Sequence, residues 1–249
     1  MIYVNGDSWS MSSSGDNSHV WPNYDPDLPM WPNMLAKDLD QELINESMGC
    51  GSNSRIVDCL EDILLCNHKP NFIVLALSCF HRWHLPTVER GHWVIGPLVA
   101  LNTVTGKKDE YIQKWFYANC DDYLDSVFRH YKTVRQLVNL CEQIGSKYVV
   151  FNTWDEDIYK LNLFQSNNKI ENFVTDFYKN DKGHPARQRY IQAFTELRKL
   201  SKSWNYFEKP LAKILSPEHL KQNDGHPNKD GNTIIKDYIK NYILQQEVI

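Results

Sequence analysis

The segment Ile2–Ser8 reads IYVNGDS and places a short apolar run directly before a glycine turn. The run from Ile2 to Val4 is typical of a buried strand in a parallel sheet. Gly6 permits the tight turn that would end this strand. Because ligands of such sheets bind beyond the carboxyl ends of the strands, Ser8 is predicted to lie at the ligand-binding edge.

Further strands and helices are predicted on both sides of this pattern. Strand candidates follow at residues 42–45, 71–77, 147–152 and 203–207, and helical periodicity covers residues 31–39, 53–66, about 111–144, 186–200 and about 229–246. This alternation predicts a three-layer α/β/α sandwich with a central, mainly parallel five-stranded sheet. We expect a single domain over residues 1–249, with long loop insertions at about 78–110 and 153–185.

The composition argues against several classes of function. The net charge is −4 and no block of Lys or Arg stands out, so no nucleic-acid partner is expected. Six cysteines occur without a C-x-x-C pair, which predicts reduced, structural thiols. No apolar run is long enough to span a membrane and no signal peptide is visible, so we expect a cytoplasmic protein.

A second polar segment, Asp224–Asn228, reads DGHPN and precedes the last helical pattern. A serine hydroxyl needs a general base near neutral pH, and the imidazole of His226 suits that role. The histidine in turn needs a carboxylate to fix its tautomer, which Asp224 can provide. Taken alone, this segment is explained equally well by a turn that caps a helix, and Gly6–Ser8 by an ordinary turn.

Together the two segments resemble the SGNH/GDSL hydrolase family. Gly6–Ser8 matches its first block, Gly51 before a helix matches its second, and Asp224–Asn228 followed by Gly231 matches its last. The resemblance implies a flavodoxin-like fold and a carboxylic ester hydrolase without a cofactor. It also implies an acyl-enzyme on Ser8, with Asp224 and His226 completing the catalytic triad.

Two features depart from the family pattern. The third block, Gly-x-Asn-Asp, is missing, and the corresponding residues 78–82 read SCFHR. Because the family's asparagine donates to the oxyanion, Asn53 or Arg82 would have to replace it, with Asn53 preferred. Either side chain would complete an oxyanion hole with the N–H groups of Ser8 and Gly51. The spacing from Asp224 to His226 is also two residues, where three is common in the family.

A second histidine–proline segment competes with the first. Asp181–Pro185 reads DKGHP, has an Asp-to-His spacing of three and also precedes a helix. The resemblance places the base after the fifth strand and before the terminal helix, which favours Asp224 and His226. His184 stays open as the alternative base.

Tryptophans are concentrated in or beside the loops of the predicted ligand edge. Aromatic faces suit sugar rings and acyl chains, so a small-molecule or saccharide ester is the expected substrate. An equally good explanation is that these side chains give the long loops a small core of their own. Six of the eight tryptophans lie there, namely Trp9, Trp21, Trp31, Trp83, Trp93 and Trp154, and the predicted substrate contacts are Asp7, Trp9, Trp83 and Trp154.

The histidines His81, His84 and His92 also fall at this edge, but no carboxylate accompanies them at a familiar metal-ligand spacing. Packing or substrate contact is therefore expected there, and no metal site. Two other functions remain open. An O-acyltransferase would use the same triad, and a binding or structural module on this fold would have lost activity.

Overall fold

The computed structural model describes residues 1–11, 28–49, 51–79, 82–86, 92–95, 100–102, 109–119, 123–154, 163–181, 183–207, 210–221 and 225–247. Its centre is a five-stranded parallel sheet. The strands are β1 (Ile2–Gly6), β2 (Leu43–Asn45), β3 (Phe72–Leu77), β7 (Lys147–Asn152) and β8 (Tyr206–Phe207), and their order across the sheet is β2-β1-β3-β7-β8. All five lie within or next to the runs predicted from the sequence.

Helices cover both faces of this sheet, which confirms the three-layer α/β/α sandwich. The helices are α1 (Trp31–Asp38), α2 (Asn53–Leu65), α3 (Glu110–Asn119), α4 (Tyr123–Ile144), α5 (Asn167–Phe177), α6 (Pro185–Ser201) and α7 (Lys229–Glu247). Alternate residues of β3 point to opposite faces, as the pleat requires. Ile73 and Leu75 pack with α2 and α4, whereas Phe72 and Val74 pack with α1 and α7.

Ion pairs reinforce the packing of α7 on α1. The ammonium groups of Lys236 and Lys240 lie 2.8 and 3.1 Å from the same carboxylate oxygen of Asp38. These two pairs lower the pKa of Asp38, because both lysines donate hydrogen bonds to its charged form. The two helices are therefore joined into one layer, and residues at the start of α7 are positioned by α1.

The long insertions contain elements that the sequence did not predict. Strands β4 (Trp83–Pro86), β5 (His92–Ile95) and β6 (Ala100–Asn102) form a separate antiparallel sheet within the first insertion. Helix α5 lies in the second insertion and packs with α6 against the first half of α4. The helix predicted over residues 111–144 is instead α3 and α4, separated by residues 120–122, which lie outside the described residues.

Cys59, Cys66, Cys79 and Cys141 form no disulfide, and Cys50 and Cys120 lie outside the described residues. Burial raises the pKa of the Cys141 thiol, which sits in the core on α4. Among the helices that the structure describes, none combines the length and apolar character needed to cross a bilayer.

Candidate active site

The turn that follows β1 carries Ser8. The N–H of Ser10 donates to the carbonyl of Asp7 at 2.9 Å, and the N–H of Trp9 donates to the Asp7 carboxylate at 3.0 Å. Gly6 is needed directly before this turn, since a Cβ there would lie 2.8 Å from the carbonyl oxygen of Ala76 on β3. The result is a rigid turn that holds Ser8 at the carboxyl edge of the sheet.

A short hairpin before α7 carries His226. The N–H of Lys221 donates to the His226 carbonyl at 2.7 Å, and the N–H of Gly225 donates to the Lys221 carbonyl at 3.1 Å. Gly225 closes the hairpin with φ of 70°, a left-handed conformation that favours glycine. The backbone on both sides of His226 is therefore fixed by hydrogen bonds.

The start of α7 anchors this hairpin to the rest of the fold. A Cβ on Gly231 would lie 2.3 Å from the carbonyl oxygen of His219, so only glycine allows this close approach. The side chain of Asn232 accepts the N–H of Trp31 at 3.0 Å and donates to the carbonyl of Pro227 at 3.2 Å. The hairpin of His226 is thereby attached to the first turn of α1.

These two segments meet at the carboxyl edge of the sheet. The Nε2 atom of His226 lies 2.7 Å from Oγ of Ser8, across a separation of 218 residues. Ser8 is nearly buried, with 8% of its surface exposed. The structure thus brings together the predicted nucleophile and its predicted base. Asp224, the predicted third member, lies outside the described residues.

Asp7, a predicted substrate contact, lies beside this pair. Its side chain is fully buried. One carboxylate oxygen accepts hydrogen bonds from Oγ of Ser78 at 3.1 Å, from Nη1 of Arg82 at 3.3 Å and from Nε1 of Trp154. The other oxygen accepts the N–H of Trp9. The carboxylate therefore ties together the turn after β1 and the segments that follow β3 and β7.

The described tryptophans at this edge differ in their burial. Trp9 and Trp31 are 1% and 0% exposed and belong to the core between the sheet, α1 and α7. The ring of Trp9 is enclosed by the layer that supports the turn. Trp154 is half-buried, and its ring lies edge-on to the His226 ring, 6.2 Å between centroids. Trp21 and the side chains of Trp83 and Trp93 lie outside the described part of the chain.

Two predicted oxyanion donors are engaged elsewhere. The side-chain amide of Asn53 accepts the N–H of Ser78 at 2.7 Å and donates to the Ser78 carbonyl at 3.1 Å. The N–H of Gly51 donates to the carbonyl of Met48 at 2.9 Å. An oxyanion role for Gly51 would require this bond to break. No described group accepts a hydrogen bond from the N–H of Ser8.

His184, the alternative base, caps a helix. Its Nδ1 accepts the N–H of Ala186 at 3.2 Å, in the first turn of α6. Its ring stacks on Tyr178 at 4.8 Å between centroids. This is the geometry of a turn that caps a helix.

A cavity of about 320 Å³ lies at the opposite, amino edge of the sheet. It is lined by Ile2, Leu39, Gln41, Asn71, Phe72, Lys147 and Ile243. None of the residues around Ser8 contributes to it.

Among the described residues, no cluster of His, Cys, Asp or Glu could hold a metal ion. His81 and the side chains of His84 and His92 lie outside that part of the chain.

No protein-family model matches the chain, and no curated protein matches it by sequence. Solved structures similar to it include the psychrotrophic esterase EstA from Pseudoalteromonas sp., with 12% identity, coverage of 100% of this chain and 98% of that one, and a TM-score of 0.47. TesA has 14% identity, coverage of 96% and 94%, and a TM-score of 0.46. A member of the lipolytic G-D-S-L family from Veillonella parvula has 11% identity, coverage of 95% and 93%, and a TM-score of 0.42. Similarity at this level does not by itself assign an activity.

Proposed function

We propose that the protein is a serine ester hydrolase of the SGNH/GDSL type, with Ser8 as nucleophile and His226 as general base. The observation that carries the proposal is the 2.7 Å contact between Nε2 of His226 and Oγ of Ser8. A nucleophile within hydrogen-bond reach of its base is the geometry that activates a serine hydroxyl. The contact argues against the interpretation of the chain as an inactive module.

The chemistry follows from this geometry. With its ring proton on Nδ1, His226 accepts the Ser8 proton on Nε2 while Oγ forms a bond to the ester carbonyl carbon. The tetrahedral intermediate collapses as the imidazolium returns that proton to the leaving alkoxide, which departs as an alcohol. Water then attacks the acyl-Ser8 ester with His226 as base, and this releases the acid and restores the hydroxyl. Asp224 is the proposed orienting carboxylate.

The backbone N–H of Ser8 is the first proposed donor to the oxyanion. It belongs to the rigid turn held by Asp7 and Ser10, so its direction is set before substrate binds. Preorganised donors of this kind stabilise the developing charge without reorganisation during the reaction.

A fluorophosphonate probe tests the proposal directly. We expect a single phosphonyl adduct on Ser8, located by mass spectrometry of the labelled protein. Labelling should be lost in Ser8→Ala and in His226→Ala and retained in His184→Ala, the matched histidine control. Folded wild-type protein that takes no label, or a label on another residue, would overturn the proposed function.

The alcohol part of the substrate is a finer proposal. Trp154 is the half-buried tryptophan that lies against the base, and it is the proposed contact for a sugar ring or acyl chain. Steady-state hydrolysis of an O-acetylated saccharide and of a simple alkyl acetate shows whether the enzyme prefers a sugar as the alcohol part. A carbohydrate ester predicts a higher kcat/KM for the saccharide, and this advantage should fall in Trp154→Leu.

A further inference from the structure

We propose that Arg82 is the side-chain donor to the oxyanion and that Asp7 is the residue that positions it. The inference rests on the proposed function, because it concerns the same reaction at Ser8. It reverses the preference for Asn53 that the sequence favoured. It also gives the buried carboxylate next to the nucleophile a role.

The first argument is the state of Asn53. Its Oδ1 and Nδ2 atoms hold the backbone N–H and carbonyl of Ser78, and the residue is only 7% exposed. A donor to an oxyanion must point at the position where charge develops. The amide of Asn53 instead fixes the segment that follows β3.

The second argument is the position of Arg82. Its Nη1 lies 2.6 Å from Oγ of Ser78 and 3.3 Å from the carboxylate of Asp7, the residue before Ser8 in the chain. This tether holds the guanidinium beside the nucleophile turn. It occupies only one of the three nitrogens, and no described group accepts from Nε or Nη2. A guanidinium carries five N–H groups in a fixed planar arrangement, so Arg82 can donate to a further acceptor.

The third argument is the surroundings of the guanidinium. The Arg82 side chain is 16% exposed, so its charge is largely removed from water and needs compensation. The fully buried carboxylate of Asp7 supplies it. The guanidinium carbon lies 5.8 Å from the centre of the Trp154 ring, which also borders His226. Arg82 and the base thus lie around the same tryptophan, next to Ser8.

These contacts define the chemistry. As Oγ of Ser8 bonds to the carbonyl carbon, the electron pair of the C=O bond moves to oxygen, and the N–H groups on Nε and Nη2 of Arg82 donate to that oxygen. The pair returns when the leaving group departs. No proton is transferred by Arg82. In this proposal Asp7 holds the Arg82 guanidinium in place and does not contact substrate.

Steady-state hydrolysis of p-nitrophenyl acetate tests the assignment. Arg82→Ala is expected to lower kcat by about 100- to 1000-fold, with KM changed by less than about threefold, because the donor acts mainly in the transition state. Arg82→Lys should recover part of the loss. Added guanidinium chloride should raise kcat of Arg82→Ala and leave Ser8→Ala unchanged. Arg135→Ala, an exposed arginine on α4, is the matched control.

The role of Asp7 is tested by coupling. Asp7→Asn should lower kcat in the presence of Arg82 and have little further effect in Arg82→Ala, because both changes remove the same interaction. Thermal melting of each variant measures folding separately from kcat.

Two results would overturn the inference while leaving the proposed function intact. One is Ser8-dependent hydrolysis by Arg82→Ala with kcat within about threefold of wild type. The other is a loss of kcat that neither guanidinium nor Arg82→Lys recovers, which would show a purely structural role. Failure of the proposed function has a different signature, since wild-type hydrolysis would then not depend on Ser8.

Discussion

The chain contains two histidine–proline turns of similar sequence that lie in different surroundings. His226 precedes α7 and contacts Ser8 at 2.7 Å, whereas His184 precedes α6, caps that helix and stacks on Tyr178. Each is preceded by glycine and followed by proline. What separates them is the helix that each turn starts: α7 packs on the central sheet, and α6 packs on α4 and α5. The layer in which each turn lies therefore decides which side chains its histidine contacts.

The largest expected difference is kinetic. His226→Ala should lower kcat for p-nitrophenyl acetate by about 1000-fold or more, since removal of the base leaves only the donors and binding. His184→Ala should keep kcat and lose about 1 kcal/mol of unfolding free energy, the usual cost of a lost helix cap. Steady-state kinetics and urea unfolding of both variants measure this. Equal losses of kcat would break the distinction between the two turns.

The glycines near the two turns offer a matched pair. Gly231→Ala should destabilise the protein by about 1 to 3 kcal/mol, because its Cβ would lie 2.3 Å from the His219 carbonyl oxygen and the backbone must shift. The shift should also lower kcat, since it displaces the hairpin of His226. Gly183→Ala meets its nearest atom at 3.9 Å and should change stability by less than about 0.5 kcal/mol. The urea unfolding midpoints of the two variants measure this difference in stability, and similar midpoints would contradict the prediction.

A third histidine, His130, is predicted to make the folding stability of the protein fall at acid pH. His130 is buried on α4, with Nε2 3.2 Å from the Tyr206 hydroxyl, and burial followed by the charge of Arg129 lowers its pKa to about 3. Its pKa in the unfolded chain is about 6.5, so the unfolded state binds the proton first as pH falls. Its contribution to stability is present above about pH 6.5 and is lost as pH falls towards 3, by up to about 1.4 kcal/mol per pH unit.

Urea unfolding at several pH values between about 7.5 and 4 measures this slope. The dependence should be shallower in His130→Gln than in wild type, whatever the absolute stability of the variant. Parallel curves for the two proteins would show that His130 is not the group that titrates.

The smallest effect concerns the backbone of the hairpin. Gly225 has φ of 70°, and no atom of the described residues lies within 4 Å of a Cβ at this position, so Gly225→Ala should cost about 1 kcal/mol through backbone strain. Asn tolerates this conformation, and Gly225→Asn should lose less. Gly183 in the other turn has no such conformation. Thermal melting compares the variants. If Gly225→Ala were as stable as Gly225→Asn, the backbone of the hairpin would be able to leave the left-handed conformation without cost.

The central sheet could be predicted because its strands are continuous apolar runs that are buried on both faces. Phe72–Leu77 and Lys147–Asn152 carry this signal clearly. The antiparallel strands β4 to β6 have three or four residues each and lie among glycines and prolines, so no periodicity marks them. Helix α5 does carry helical periodicity, with Ile170, Phe173, Val174 and Phe177 on one face, but it is short and lies within the segment predicted as a long loop.

The predicted meeting of Ser8 with His226 followed from the family resemblance and from the rule that parallel strands present their carboxyl ends at one edge. The burial of Asp7 could not be predicted in this way, because charged side chains are seldom fully buried. Its partners Arg82 and Trp154 lie 75 and 147 residues away along the chain. Such contacts depend on tertiary structure, and nothing in the local pattern of either residue indicates them.

The side chain of Asn232 has a consequence for the order of events during folding. It joins the carbonyl of Pro227 to the N–H of Trp31, so the hairpin of His226 is fixed in position only when α7 docks against α1. Contacts between residues so distant in sequence are costly in loop-closure entropy and tend to form late. A transient undocking of α7 would withdraw His226 from Ser8. Native-state hydrogen exchange in α7 would then measure how often the two side chains are apart in the folded protein.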